Sequence, residues 1–451
     1  MKKTFFILLF LYIGVWGFSQ TTQQDSIYNL SLEQAQTLAL QRNKQVLNSQ
    51  LEVLKMKKKI WETTAIGLPH VNSSISHNYN IDLPVTLLPA RIFNPQAPPG
   101  TYMEMRFGTE HNTKVGLSVS QLIFNGQYLV GLQSTRVLKE LTEPKLKQTQ
   151  RDIKYSVAQT YFLVLITQEN LKIIDSNYVF VKKLYDDTKK MFDAGFIEEA
   201  TLKQMKLNFK NVEVARQTLQ RQTEVAKNLL KFQIGINLSS KIILTDHLDK
   251  FNEEISNAQN LITTAITPDQ TIEYQMINTQ ERLKELSLKN EKATLLPVIS
   301  AFYNHQESMM GDEIKWFDSD GKWYKANIVG FNINVPIFGS GQKMARIAQA
   351  KIDLEETKNQ KWQLEQSLQL KILQAKVNLQ NAISKYQTQK ENKELAEYIY
   401  KNTKEKYLKG MASSMDLTQA QIQYFSTLQQ YYQSILEYWN AKNELEKLFY
   451  K

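Results

Sequence analysis

The chain has 451 residues, a formal net charge of +10 and no cysteine. Without cysteine there is no disulfide framework, no thiolate metal site and no lipid-bearing N-terminal cysteine. The basic residues are scattered among Glu and Gln, which reads as solvated helix faces and not as a nucleic-acid surface.

Lys2-Lys3 followed by the apolar run Phe5 to Phe18 and the small residues around Gly17 and Ser19 predicts a secretory signal peptide over residues 1–19. That run is short of the roughly 20 residues a membrane span needs. No later stretch is long and apolar enough for a transmembrane helix, so any crossing must be made by strands in a closed barrel.

A first repeat is predicted over 20–235. Ser31 with Gln34 three residues on has capping-box spacing and opens a helix to about Ile66, interrupted near Arg42-Asn43. Leu68-Pro69 ends it. Val71, Ser73, Ile75, His77 and Tyr79 then alternate with Asn72, Ser74, Ser76 and Asn78, which predicts a strand at about 68–80 with one wet face. The segment Asp82–Asn112 holds Pro84, Pro89, Pro95, Pro98, Pro99 and Gly100, and is expected to be a loop without strand or helix. A second strand is expected at about 113–124, with Val115, Leu117 and Val119 opposite Lys114, Gly116, Ser118 and Ser120.

One helix is then predicted from Gly126 to Ala194, kinked or broken at Pro144. Val157, Tyr161, Val164, Leu171, Ile174, Tyr178, Val181 and Tyr185 form a coiled-coil-like seam along it. Some 65 residues of helix would run roughly 100 Å, far beyond globular norms. Asp193–Phe196 is a turn, and a return helix spans about Glu198 to Gln233. Residues 236–267 read as a polar linker forming a small side domain.

The second repeat, 268–451, restarts the pattern: a helix from about Asp269 to Leu295, Leu296-Pro297, a strand at about 296–305, a loop over Gln306–Lys325 and a strand at about 327–338. Val329, Phe331, Ile333, Val335 and Ile337 share one face of that last strand. A long helix follows from Gln342 to Lys409, with Leu368, Ile372, Ala375, Leu379, Ala382 and Tyr386 on one seam. Gly410 turns the chain, and Ser413 or Ser414 caps a final helix to about Phe449. The duplication is visible directly: residues 114–127 return as 328–342, with Gly116 matching Gly330 and Gly195 matching Gly410.

Four strands cannot close a membrane barrel, for which about eight is the minimum, but three copies would supply twelve. The Ser/Asn/Gly faces would line a wet lumen and the apolar faces would meet lipid. The competing reading is a half-buried soluble sheet.

The ordered set of Leu68-Pro69, Leu296-Pro297, Gln121–Gln127, Pro336–Gln342 and Gly410 with Ser414-Met-Asp-Leu417 resembles the TolC-like outer-membrane efflux proteins over essentially the whole mature chain. The resemblance implies a mostly helical fold with transmembrane β structure: a homotrimer whose twelve-stranded barrel in outer-membrane lipid continues into a long helical tunnel through the periplasm. It implies a periplasmic adaptor (membrane fusion) protein and an inner-membrane pump of RND or ABC type as partners, passive conduction, and no enzymatic activity or cofactor. The strand-to-helix transitions fall at Phe124 and Gly126, and at Pro336, Phe338 and Gly341. The helix-tip turns for adaptor contact fall at Gly195 and Gly410. Asp416 occupies the place of an acidic entrance ring, with Gln419 one turn on and Thr201 equivalent in the first repeat. Asp416 equally suits a helix N-terminus through the dipole.

Among other candidates, His70, His77, His111, His247 and His305 show no ligand spacing, so no metal site is expected. His77 and His305, equivalent across the repeats, are expected near the outer rim. Tyr79, Tyr102, Trp316, Trp323 and Tyr324 form either an interfacial aromatic belt or loop packing. Tripartite drug or metal efflux and type I protein secretion stay open as substrates. The alternative function is a secreted coiled-coil structural or adhesion protein without a pore.

Overall fold

The computed structural model describes residues 27–248, 250, 259–316, 318 and 321–449; the expected signal peptide, 1–19, lies outside them. Strand β1 (Ile27–Leu30) leads into helix α1 (Leu32–Arg42). The Ser31 hydroxyl accepts from the Gln34 amide while the Gln34 side chain accepts from the Ser31 amide at 2.9 Å, the reciprocal cap expected from the spacing. Asn43 leaves helical geometry with ψ 128° and donates its side-chain amide to the Gln233 carbonyl at 2.7 Å. Helix α2 (Lys44–Ala65) restarts directly after it.

Strand β2 (His70–Tyr79) follows Pro69. The proline-rich segment is not a plain loop: β3 (Val85–Pro89) and β4 (Tyr102–Arg106) form an antiparallel hairpin in register from Val85↔Arg106 to Pro89↔Tyr102. Pro84 precedes β3, Pro89 is its last residue, and the other prolines lie in the connection, where the ladder needs no donor from them. Strand β5 (His111–Asn125) runs straight into α3 (Gly126–Asp193), and α4 (Glu199–Ile234) returns. Pro144 neither ends nor divides α3; a lost hydrogen bond costing about 3 kcal/mol is small against a helix of 68 residues. Strand β6 (Lys241–Leu244) pairs in parallel with β1, so part of the linker is tied to the start of the described chain. One further turn of helix, α5 (Gln259–Thr263), precedes α6 (Ile272–Ala293).

Strand β7 (Val298–Gly311) is longer than expected and takes in the first residues of the anticipated Gln306–Lys325 loop. The 15-residue β5 supplies its partner as far as His111↔Gly311. Strand β8 (Tyr324–Asn334) ends short of the expected 338. Pro336 cannot donate to a ladder, and β7 begins only at Val298, after Pro297, so nothing remains to pair with. Helices α7 (Gln342–Leu408) and α8 (Ser414–Phe449) complete the chain.

The chain divides into two compact units. One holds the sheet β2-β5-β7-β8, antiparallel throughout, with α6 and the helix segments that enter and leave it. The other holds β1 and β6, α1, α4 and the hairpin ends of α3, α7 and α8. Both predicted seams are interior. Val157, Tyr161, Val164, Ile174 and Val181 are buried on α3, with Leu171 and Tyr178 packed against them. On α7 every seam residue from Leu368 to Tyr386 is buried. No described helix is long and apolar enough to cross a membrane.

Candidate functional site

The sheet is a single layer. All of β2 is exposed, as is all of β8 except Gly330, and both strands are unpaired edges. The register sorts its two faces. One carries the cross-strand rows Val71–Val119–Tyr303–Val329 and Ile75–Val115–Glu307–Lys325; the other carries Asn72–Ser118–Asn304–Ile328 and Ser74–Gly116–Gln306–Ala326. Val329 is 81% exposed, Phe331 71% and Ile75 74%. On the polar face the ring of Phe302 lies across Gly330, where a Cβ would come within 2.9 Å of it. On the apolar face Lys325 reaches Glu307 at 3.3 Å.

At the end of the sheet away from the helices, His77 stacks on His111 with ring centroids 5.4 Å apart, and Tyr79 stacks on His111. Trp316 meets His77 edge-on and donates its indole N–H to Thr113 Oγ1 at 2.8 Å. Trp316 is therefore a loop-packing residue. Tyr324, paired with Ser308, stands on the opposite face from Tyr79, so the two do not share one belt. His305 does not join this cluster; its Nδ1 lies 2.7 Å from Asn327 Oδ1.

The two strand-to-helix junctions differ. In the first, a bulge between Leu122 and Phe124 precedes Asn125, whose side-chain oxygen accepts from the Gln127 and Tyr128 amides and so caps α3. Gly126 lies so near α6 that a Cβ would fall 2.7 Å from Leu296 Cδ1 and 3.2 Å from Ala293 Cβ. In the second, Val335–Gly341 separates β8 from α7, with Ser340 and Gly341 at positive φ. Ile337 and Phe338 are almost fully exposed there. Asn125 was missed by sequence reasoning, although an Asn directly before a helix start is the standard signal.

The hairpin turns repeat one another. Gly195 (φ 77°) and Gly410 (φ 73°) adopt the left-handed conformation that side chains disfavour. The amide of the next residue reaches back five positions in each, Phe196 to Met191 at 2.9 Å and Met411 to Lys406 at 2.8 Å. Leu184, Met205 and Leu417 form a shared core behind the turns with Phe180, Tyr185, Tyr400 and Tyr407 around it. Helix α8 is capped by Ser413: its hydroxyl accepts from the Asp416 amide at 3.1 Å, while the Asp416 carboxylate accepts from the Ser413 amide (2.9 Å) and hydroxyl (2.7 Å). Those hydrogen bonds hold the exposed Asp416 carboxyl below the usual carboxylate range. Gln419 is exposed beside it; Thr201 is half-buried at the start of α4, where Glu198 makes no side-chain cap. No group of three or more His, Asp or Glu able to hold a metal occurs among the described residues.

A model of the outer membrane efflux protein family matches residues 36–235 and 275–449. The chain belongs to that family. No curated protein sequence matches it. Among solved structures, this efflux protein is similar to the Campylobacter jejuni CmeC outer membrane channel (TM-score 0.69, 16% identity, covering 93% of this chain and 85% of that one). It is also similar to VceC of Vibrio cholerae (0.67, 14%, 93% and 96%) and to the open state of the Neisseria gonorrhoeae MtrE channel (0.65, 15%, 93% and 88%). At such identities the likeness establishes the fold. Family membership, and not that likeness, makes the chain an outer-membrane efflux protein and not an enzyme. The alternative of a secreted coiled-coil or adhesion protein gains no support.

Proposed function

We propose that three copies of this efflux protein close a twelve-stranded barrel in the outer membrane, β8 of each pairing with β2 of the next, after export by a cleaved signal peptide. The observation that carries this is the single-layer sheet, whose two edges are unpaired and whose apolar face is bare. Such a surface is stable only when the edges are paired and the apolar face meets hydrocarbon. In this reading the helices below form a coiled-coil tunnel through the periplasm, and conduction is passive. The turns at Gly195 and Gly410 present Phe196 and Met411, both exposed, to a periplasmic adaptor. An inner-membrane pump of RND or ABC type supplies the energy.

The Asp416 carboxylates, ionised at neutral pH and held so further into acid by the Ser413 cap, converge as a ring that admits cations more readily than anions. Gln419 one turn on leaves that ring single, and Thr201 adds no charge. The test is ion selectivity of the detergent-extracted protein in planar bilayers, with its mass measured in parallel. A mass three times that of the chain, with a cation preference weakened by Asp416→Ala, supports both parts. Conducting trimers with unchanged selectivity refute the ring alone, and a water-soluble monomer refutes the channel.

A further inference from the structure

We infer that Lys114 sets the charge preference of the outer part of the duct, favouring anionic over cationic solutes as they leave. This rests on the barrel reading above, with the Ser/Asn face inward. The four strands of the sheet carry three charged side chains: Lys114, Glu307 and Lys325. Glu307 and Lys325 face one another on the apolar side and cancel at 3.3 Å. Lys114 stands on the polar side, between Ser76 and Ser308, toward the end of β5 remote from α3. Its neighbours along that face are Asn78, Asn112, Ser74, Gly116 and Gln306, none of them a carboxylate. No strand residue on this face supplies a negative charge to offset it.

Threefold symmetry turns one uncompensated ammonium into a ring of three. A point on the wall two pleats deeper lies about 15 Å from those charges. At about 10 mM ionic strength their summed field there changes the local ratio of monovalent anions to cations about fivefold, and screening reduces the effect in concentrated salt. The sign is opposite to that of Asp416, so the two ends of the duct would filter differently.

Because the chain has no cysteine, a single Ser118→Cys reports on the polar face two pleats from Lys114. The experiment compares its modification rates by sulfonate-bearing and trimethylammonium-bearing methanethiosulfonates added outside intact cells, at about 10 mM ionic strength. This readout needs no open entrance. Lys114→Met is expected to lower the anion-to-cation rate ratio about fivefold, Lys114→Glu to invert the preference, and Lys325→Met to leave it unchanged. An unchanged ratio in both Lys114 variants, with both reagents still reacting, overturns the inference. A larger effect from Lys325→Met assigns the role to the other face and overturns it too. Ser118→Cys refusing both reagents, in protein that has reached the outer membrane, takes down the pore reading itself.

Discussion

Asp246 ties the strand pair β1–β6 to the long helix α3, and its removal should open that region selectively. Its Oδ2 accepts from the Leu32 amide at 2.8 Å, lies 2.9 Å from the Tyr161 hydroxyl, and its Oδ1 accepts from Lys250 at 2.9 Å. The Tyr161 side chain is fully buried, and the Leu32 amide is one of the donors a helix start leaves without an intrahelical partner. Asp246→Ala strands the Leu32 amide, whereas the Tyr161 hydroxyl keeps the Leu30 carbonyl as an acceptor at 2.9 Å. The one charge-assisted hydrogen bond left unmade, at about 1.5–3 kcal/mol, gives a loss of about 2 kcal/mol, or roughly thirtyfold in local opening. The exposed Lys250 bond adds little. Hydrogen exchange on the purified protein should therefore show lost protection across 27–32 and 241–245, while the turns at Gly195 and Gly410 keep theirs. Burial alone would push the Asp246 carboxyl up; the bonds from Lys250, Leu32 and Tyr161 outweigh it and hold it below the ordinary range. A depressed carboxyl contributes fully above its unfolded value, about 4, and loses the contribution as pH falls through the lower folded value. The wild type should thus lose this protection in acid, and Asp246→Ala should show no such step. Unchanged protection in Asp246→Ala at neutral pH would refute the reasoning.

Three further outcomes are expected. Leu379→Ala, at a fully buried point of the α7 seam, should lower the thermal midpoint by an amount equivalent to 2–5 kcal/mol, measured by scanning fluorimetry; a loss under about 1 kcal/mol would mean the seam collapses around the gap. Gly126→Val should cost about 1–3 kcal/mol by driving a side chain into Leu296 and Ala293, whereas Gly131→Ala, with open space around it, should be neutral or stabilising in the same assay. Ser413→Ala removes the hydroxyl donor, the larger cause of the depressed Asp416 carboxyl, and leaves the backbone amide, so the pH at which cation preference fades in bilayers should move upward; no movement would show that Asp416 does not set that preference.

The long helices were legible because their seams repeat over many turns: Val157 to Val181 and Leu368 to Tyr386 are interior as their spacing required. Of the two outcomes expected at Pro144, a kink or a break, the break does not occur, because a local penalty is diluted in so long a helix. The hairpin β3–β4 was illegible because its prolines sit at strand ends, where composition alone cannot distinguish a bracketed strand from a loop. Strand ends were misjudged where the partner's length decides them, as at Gly311 and Asn334. At the hairpin tip the Ser413–Asp416 spacing was readable as a cap, yet Asp416 was weighed only by its charge, as a ring acid or a partner of the helix dipole, and its bond to Ser413 was overlooked. The difference between the two strand-to-helix junctions was masked by the sequence repeat itself, since Asn125 has no capping counterpart before Gln342.

The bare sheet has a consequence for how the protein matures. Its edge strand β2 holds no charge and no proline, and β8 holds a single Lys325. The usual guards against edge-to-edge sticking are therefore almost absent. A lone copy that forms its sheet early presents two adhesive rims to any passing strand, its own kind or not. Productive maturation must then be a race, won when three copies meet before an off-pathway encounter. A mutation on the rims would register first as lower yield and more aggregate, with the helical part of each molecule still intact.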